Sequence, residues 1–260
     1  MSRSRCARTV VLFAGLVSCS AAHAQFNHGD IMANDYWFRQ VTESSNTDAT
    51  DQAFANAGNM FGAPSVTNNS ILFSTPNFYA QATAGPSAFA SDSTDGRLKF
   101  LIEAKPNAIV SSFSFAERGD YSFAGIASYL GNLTVSCDVQ VRVLAINGVG
   151  IAPVGDTFSL SFTSGGVFAA PPANQSGNWN GSGGINIDAL LALNGHAPRA
   201  TLVEITLDNK LFAQTLGQTG GGTSRIVKKQ GEGIVINVIP APGAAMLLGL
   251  GGLVAVRRRR

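Results

Sequence analysis

The chain has 260 residues, 45% of them hydrophobic and only 13% charged. That is enough apolar material for a buried core, and too little charge for a nucleic-acid surface. The formal charge of +2 hides an asymmetry: Arg3, Arg5, Arg8 and Arg257 to Arg260 are seven of the 18 basic residues, so the remaining 11 face 16 acidic ones, a net of about −5.

Residues 1–24 read as a secretory signal peptide. Arg3, Arg5 and Arg8 form the basic end, Val10 to Val17 the apolar run, and Ala22-His23-Ala24 a small-x-small cleavage site that leaves Gln25 first. A second route competes with it. Leu16-Val17-Ser18-Cys19 resembles the lipobox of bacterial lipoproteins, in which Cys19 would be lipidated. Cys6 and Cys19 lie in the leader, so Cys137 alone remains in the body and no internal disulfide can form.

From Gln25 through Met60 the pattern is irregular, with an aromatic cluster at Tyr36-Trp37-Phe38 and a short helix expected over 48–57. Strand-like segments then recur. Ser70 to Ser74 is short and apolar. Arg97 to Glu103 alternates, with Leu98, Phe100 and Ile102 on one face. Ile109 to Glu117 and Tyr121 to Leu130 read as two strands. Leu133 to Ile146 is the clearest, with Val135, Cys137, Val139, Val141 and Val143 together, which makes Cys137 a buried structural thiol. Thr157 to Thr163 alternates as well. Gly165 to Gly184, rich in Gly, Pro, Asn and Ser, reads as a surface loop holding Trp179. Ile185 to Leu193 runs into a short helix closed by Asn194-Gly195. Thr201 to Leu207 is a strand, Asp208-Asn209 a tight turn, and Lys210 to Leu216 the next strand. Arg225 to Lys229 and Ile234 to Ile239 come last. Nine to eleven strands at turn spacing, with no long amphipathic helix, define one all-β domain over 25–237, a β-sandwich of Ig-like or jelly-roll-like kind.

Components of a catalytic site are few. His28 and His196 are the body's two histidines, and both read as solvated loop residues. One cysteine and two histidines are too few for zinc. Asp92-Ser93-Thr94-Asp95-Gly96 has calcium-like spacing but no downstream Glu, and reads as a turn ahead of Arg97. Glu103, Glu117 and Glu204 are candidate glycosidase carboxylates that look solvent-facing, and Lys228-Lys229 looks like a wet charged edge. Gly217 to Thr223 lacks the Lys of a phosphate-binding loop and reads as a hairpin loop. No cofactor, metal or catalytic residue is expected.

The carboxyl end has three parts: Pro240-Ala241-Pro242, the uncharged apolar run Gly243 to Val256, and Arg257, Arg258, Arg259 and Arg260. The prolines stop the preceding fold, and the arginines hold the terminus on the cytoplasmic side of a membrane. Fourteen residues make about 21 Å of helix against a hydrocarbon core of about 30 Å, a marginal permanent anchor. The order of parts resembles the PEP-CTERM sorting signal, with Ala241 in place of the middle Glu, as in VPAPG-type variants. The resemblance implies recognition and cleavage near Pro240-Ala241-Pro242 by exosortase, a membrane protease or transpeptidase. It also implies passage through the inner membrane to the cell surface or extracellular matrix, where exopolysaccharide is a partner. It implies nothing about residues 25–237. Three functions follow as expectations: a non-enzymatic structural or binding surface protein, a secreted carbohydrate-active enzyme, and a lipoprotein modified at Cys19.

Overall fold

The computed structural model describes residues 25–45, 60–125, 130–169, 174–216, 221–229 and 233–240. The signal peptide with Ala24, the helix expected at 48–57, and the tail from Ala241 and Pro242 through Arg257–Arg260 lie outside the described residues. Strands β1 (Gln25–Met32) and β2 (Tyr36–Ser45) occupy the first part of the stretch expected to be irregular. Register slips conceal them from a period-two reading. They fall on either side of Gly29 in β1, and between Arg39 and Thr42 in β2, where Gln40 has φ 53°. Past that slip Val41, Glu43 and Ser45 turn inward.

Next come β3 (Ser65–Thr67), β4 (Ser70–Phe73) and β5 (Tyr79–Ala84). β6 (Phe89–Ala104) begins well ahead of the expected Arg97. β7 (Val110–Gly125) is one long strand where two were expected. β8 (Leu130–Ile146) and β9 (Val149–Ser159) form a hairpin through Asn147-Gly148, whose φ values of 50° and 76° suit a type I′ turn. β10 (Ser161–Phe162), a 3₁₀ turn, β11 (Val167–Ala169) and β12 (Gln175–Asn186) follow. β12 replaces the second half of the loop expected over Gly165 to Gly184. Its glycines let neighbouring rings lie flat on the strand: a Cβ on Gly181 would strike Phe162, and one on Gly177 would strike Tyr121. Helix α1 (Ile187–Leu193) is capped by Asn186, whose side chain accepts the Ala189 N–H at 2.9 Å. β13 (Ala200–Leu216) runs straight through the expected turn at Asp208-Asn209. β14 (Gly222–Lys228) and β15 (Ile234–Pro240) end the fold.

All pairings are antiparallel. One run has the order β9-β8-β13-β6-β2-β1. In the other, β7 pairs β12 along one edge and shares its second edge between β15 and β14, which continue to β4-β3 and to β5. The Ala200–Val110 pair joins the runs into a nearly closed sheet. Their inner faces meet: Gly96 of β6 abuts Phe78 and Phe61, and Gly131 of β8 abuts Ser224 and Phe123. Between them lies one apolar core containing Tyr36, Phe38, Phe100, Phe115, Val139 and Ile205. The all-β expectation is met, with more and longer strands than the nine to eleven expected.

Candidate functional site

The inner faces of these strands are mainly apolar, and a cluster of buried polar groups gathers at one level. There Cys137, Asn209, Gly96 and Ser45 stand in register across β8, β13, β6 and β2. The alternation of β13 dictates Asn209's direction: Val203, Ile205, Leu207, Asn209, Leu211 and Ala213 are all buried. The opposite layer supplies Glu117 from β7, Trp179 from β12 and Lys228 from β14. All three are fully buried. β14 orients Lys228 by the same rule, since Ser224, Ile226 and Lys228 share its inner face.

Lys228 donates through Nζ to Glu117 Oε2. Its ammonium also lies 5.3 Å from the Phe78 ring centroid and 5.4 Å from that of Trp179. Gly119 makes room for this arrangement, because a Cβ there would collide with the Trp179 indole. Two expectations are overturned here: Glu117 is not solvent-facing and Lys228 is not on a wet edge. Asn209, expected in a turn, is also in the core. Burial pushes the Cys137 thiol well above its ordinary range, and the Glu117 charge adds to this while Lys228 opposes it. Cys137 is therefore a buried, free and protonated thiol beside the ion pair. Polar capacity is left over: Glu117 Oε1, both amide atoms of Asn209 and Trp179 Nε1 have no hydrogen-bond partner.

The histidines are apart from this cluster. His28, expected to be a solvated loop residue, lies in β1 and has a side chain only 4% exposed. Its ring centroid is 4.8 Å from that of Phe26, and Nε2 lies 3.9 Å from buried Glu43. Glu43 in turn accepts the Phe61 N–H at 2.8 Å. The His196 N–H bonds the Leu191 carbonyl at 2.9 Å and closes α1.

The outer faces carry paired charges. Burial alone would raise the Glu204 carboxyl, but Lys99 and Arg142, at 2.8 and 2.9 Å, outweigh it and hold the group below its ordinary range. Asp95 goes the other way, raised first by burial and then by its neighbour Asp208. The segment with calcium-like spacing is thus part of β6: Asp92 accepts the Gln81 N–H, and the Thr94 hydroxyl donates to the Tyr79 carbonyl. Glu103 and Asp30 flank Arg39 at 2.8 and 3.0 Å. They line a groove of about 520 Å³. The Arg39 guanidinium sits 4.3 Å from the centroid of Trp37, so that ring is stacked by the protein itself. Among the described residues no group of three or more His, Cys, Asp or Glu is placed to hold a metal, and no helix is long and apolar enough to cross a membrane. Of the sorting motif, Pro240 is seen at the end of β15, and of the cleavage pair, Gln25 at the start of β1.

No protein-family model matches this chain, and no curated protein matches it in sequence. Among solved structures, it is similar to the enzymatically active domain of tailspike protein 4 of bacteriophage CBA120, at 11% identity and a TM-score of 0.18. That match covers 62% of this chain and 19% of the other. It is also similar to TmCBM61 in complex with β-1,4-galactotriose, at 9% identity and a TM-score of 0.19, over 64% of this chain and 90% of the other. At these values neither carries a function across.

Proposed function

We propose that this chain is an exported bacterial surface or exopolysaccharide-matrix protein, and that its body is a non-enzymatic structural or binding β-sandwich of Ig-like or jelly-roll-like kind. The signal peptide directs export and is removed after Ala24. Residues 243–256 hold the protein in the inner membrane, with Arg257 to Arg260 on the cytoplasmic side. Exosortase then cuts near Pro240-Ala241-Pro242.

What supports the reading is the pair of signals at the two ends: Ala22-His23-Ala24 behind an apolar run, and Pro240-Ala241-Pro242 ahead of one that closes on Arg257 to Arg260. The described residues between them are mostly strand, with one short helix, as a structural or binding β domain requires. Pro240 pairs with Val110 only after a register slip, in keeping with a residue that has no N–H to give a ladder. The outer face of β6, β13 and β8 suits polar partners, with Arg97, Lys99, Arg142, Glu204 and Asp208 spread across it.

Fractionation of cells with and without exosortase tests this. The protein is expected in the surface or matrix fraction only when exosortase is present, and in the inner membrane when it is absent. Equal surface delivery in both strains contradicts the sorting claim.

A further inference from the structure

The buried polar level has the parts of a self-linking reaction: an amine, a carboxamide and a carboxyl group enclosed by rings. Asn209 is bracketed by two neighbours in its own layer. On one side Cys137, paired with it in register, feels both Glu117 and Lys228. On the other side Gly96, also paired with it, lies so close to Phe78 that a Cβ would stand 2.6 Å from the ring. Phe78 is the ring beneath the Lys228 ammonium. These shared neighbours place the buried Asn209 side chain at the level of the Lys228–Glu117 pair. Neither its Oδ1 nor its Nδ2 has a hydrogen-bond partner, though the residue is fully buried. A buried carboxamide that satisfies neither end is costly, and one beside a half-satisfied carboxylate is hard to explain by packing alone.

We propose that Lys228 and Asn209 become joined by an intramolecular amide bond, with Glu117 as the group that moves the protons. One proton passes from the Lys228 ammonium to Glu117, leaving a neutral amine and a neutral acid in a box walled by Trp179 and Phe78. The Nζ lone pair attacks Cγ of Asn209. In the tetrahedral adduct Glu117 gives its proton to Nδ2 and takes the further proton from Nζ, and the Cγ–Nδ2 bond breaks as the carbonyl re-forms, leaving Glu117 a neutral acid whose carbonyl oxygen can accept. Ammonia leaves, the Cγ–Nζ amide remains, and Glu117 accepts a hydrogen bond from its N–H. No oxidant or co-reactant is needed. The held geometry replaces the activation that such a condensation needs in water. The product clamps β13 in one layer to β14 in the other, in a body that has one cysteine and so no disulfide.

Peptide mapping of the wild-type protein, purified after expression and denatured, tests this. Trypsin should fail to cut after Lys228 and should yield residues 200–210 joined to residues 226–229, lighter by one ammonia, about 17 Da. The branch must be located at the peptide level, because cyclisation of an N-terminal Gln25 also expels ammonia. Recovery of only linear 200–210 and 226–228 overturns the proposal. So does a branch from Lys228 to Glu117, which loses water instead. Glu117→Gln should leave the peptides linear, and Asn209→Asp should give the same branched product by loss of water. An undiminished branch in Glu117→Gln removes Glu117 from the mechanism. If a variant fails to fold, the wild-type map still decides whether the bond exists.

Discussion

Replacing Lys228 by Met in an Asn209→Ala background, where no amide bond to residue 209 can form, is the sharpest test of the buried charge pair. The substitution keeps the volume and the apolar contacts with Phe78 and Trp179, and removes the cation. Glu117 Oε2 loses the ammonium bonded to it, and Oε1 has no hydrogen-bond partner to take up the slack. An uncompensated carboxylate at zero exposure costs about 3–5 kcal/mol. For a body of roughly 200 residues this lowers Tm by roughly 6–20 °C. The assay is urea and thermal unfolding at pH 7, followed by circular dichroism. Glu117→Gln combined with Lys228→Met should recover part of the loss, because the stranded charge is gone. Asn209→Ala separates the two roles of Lys228: it keeps the ion pair and removes the amide acceptor. A Lys228→Met loss below about 1 kcal/mol, additive with Glu117→Gln, would refute the buried pair.

Other outcomes follow from the same packing and charges. Trp179→Ala should cost about 3–5 kcal/mol in urea unfolding, where a loop tryptophan would cost almost nothing, since its ring lies fully buried on Gly119. Asp95→Asn should stabilise the protein at pH 7. The folded state raises the Asp95 carboxyl, so this group's contribution is fully present below its ordinary value of 3.8 and lost as pH rises through the raised one. The gain from Asp95→Asn should therefore shrink as pH falls toward 4. Glu204 behaves oppositely: its carboxyl is lowered, so its contribution is present above the ordinary 4.5 and lost as pH falls through the depressed value. Glu204→Gln should weaken the fold at pH 7 and become neutral at strongly acid pH.

The strands that alternate without interruption were legible in the sequence. β8 was read correctly down to the burial of Cys137, and α1 was found through its turn signal. Three physical effects hid the rest. Bulges broke the period of two in β1 and β2. Glycines that admit rings disguised β12 as a loop. In β13, the dipeptide Asp208-Asn209 carried a strong local turn preference that long-range pairing on both edges overrode. That last error concealed the polar cluster. Continuing the alternation of TLVEITL by one step puts Asn209 inward, and the same step from Ile226 puts Lys228 inward. The signal was present for both. Glu117 carried the same signal, since it follows Phe113 and Phe115 at steps of two. The pairing of these residues across two layers had no sequence signal, because strands at 117, 209 and 228 meet only in the folded sheet.

The central claim is that a sheet body spanning Gln25 to Pro240 is delivered after both flanking segments are removed. Intact-mass and terminal-peptide analysis of the surface-released protein measures this directly. The account predicts a chain that starts at Gln25 and lacks Arg257 to Arg260. A surface product that retains Arg260 would contradict it, and one that starts at a lipidated Cys19 would replace the signal-peptide route with a lipoprotein one.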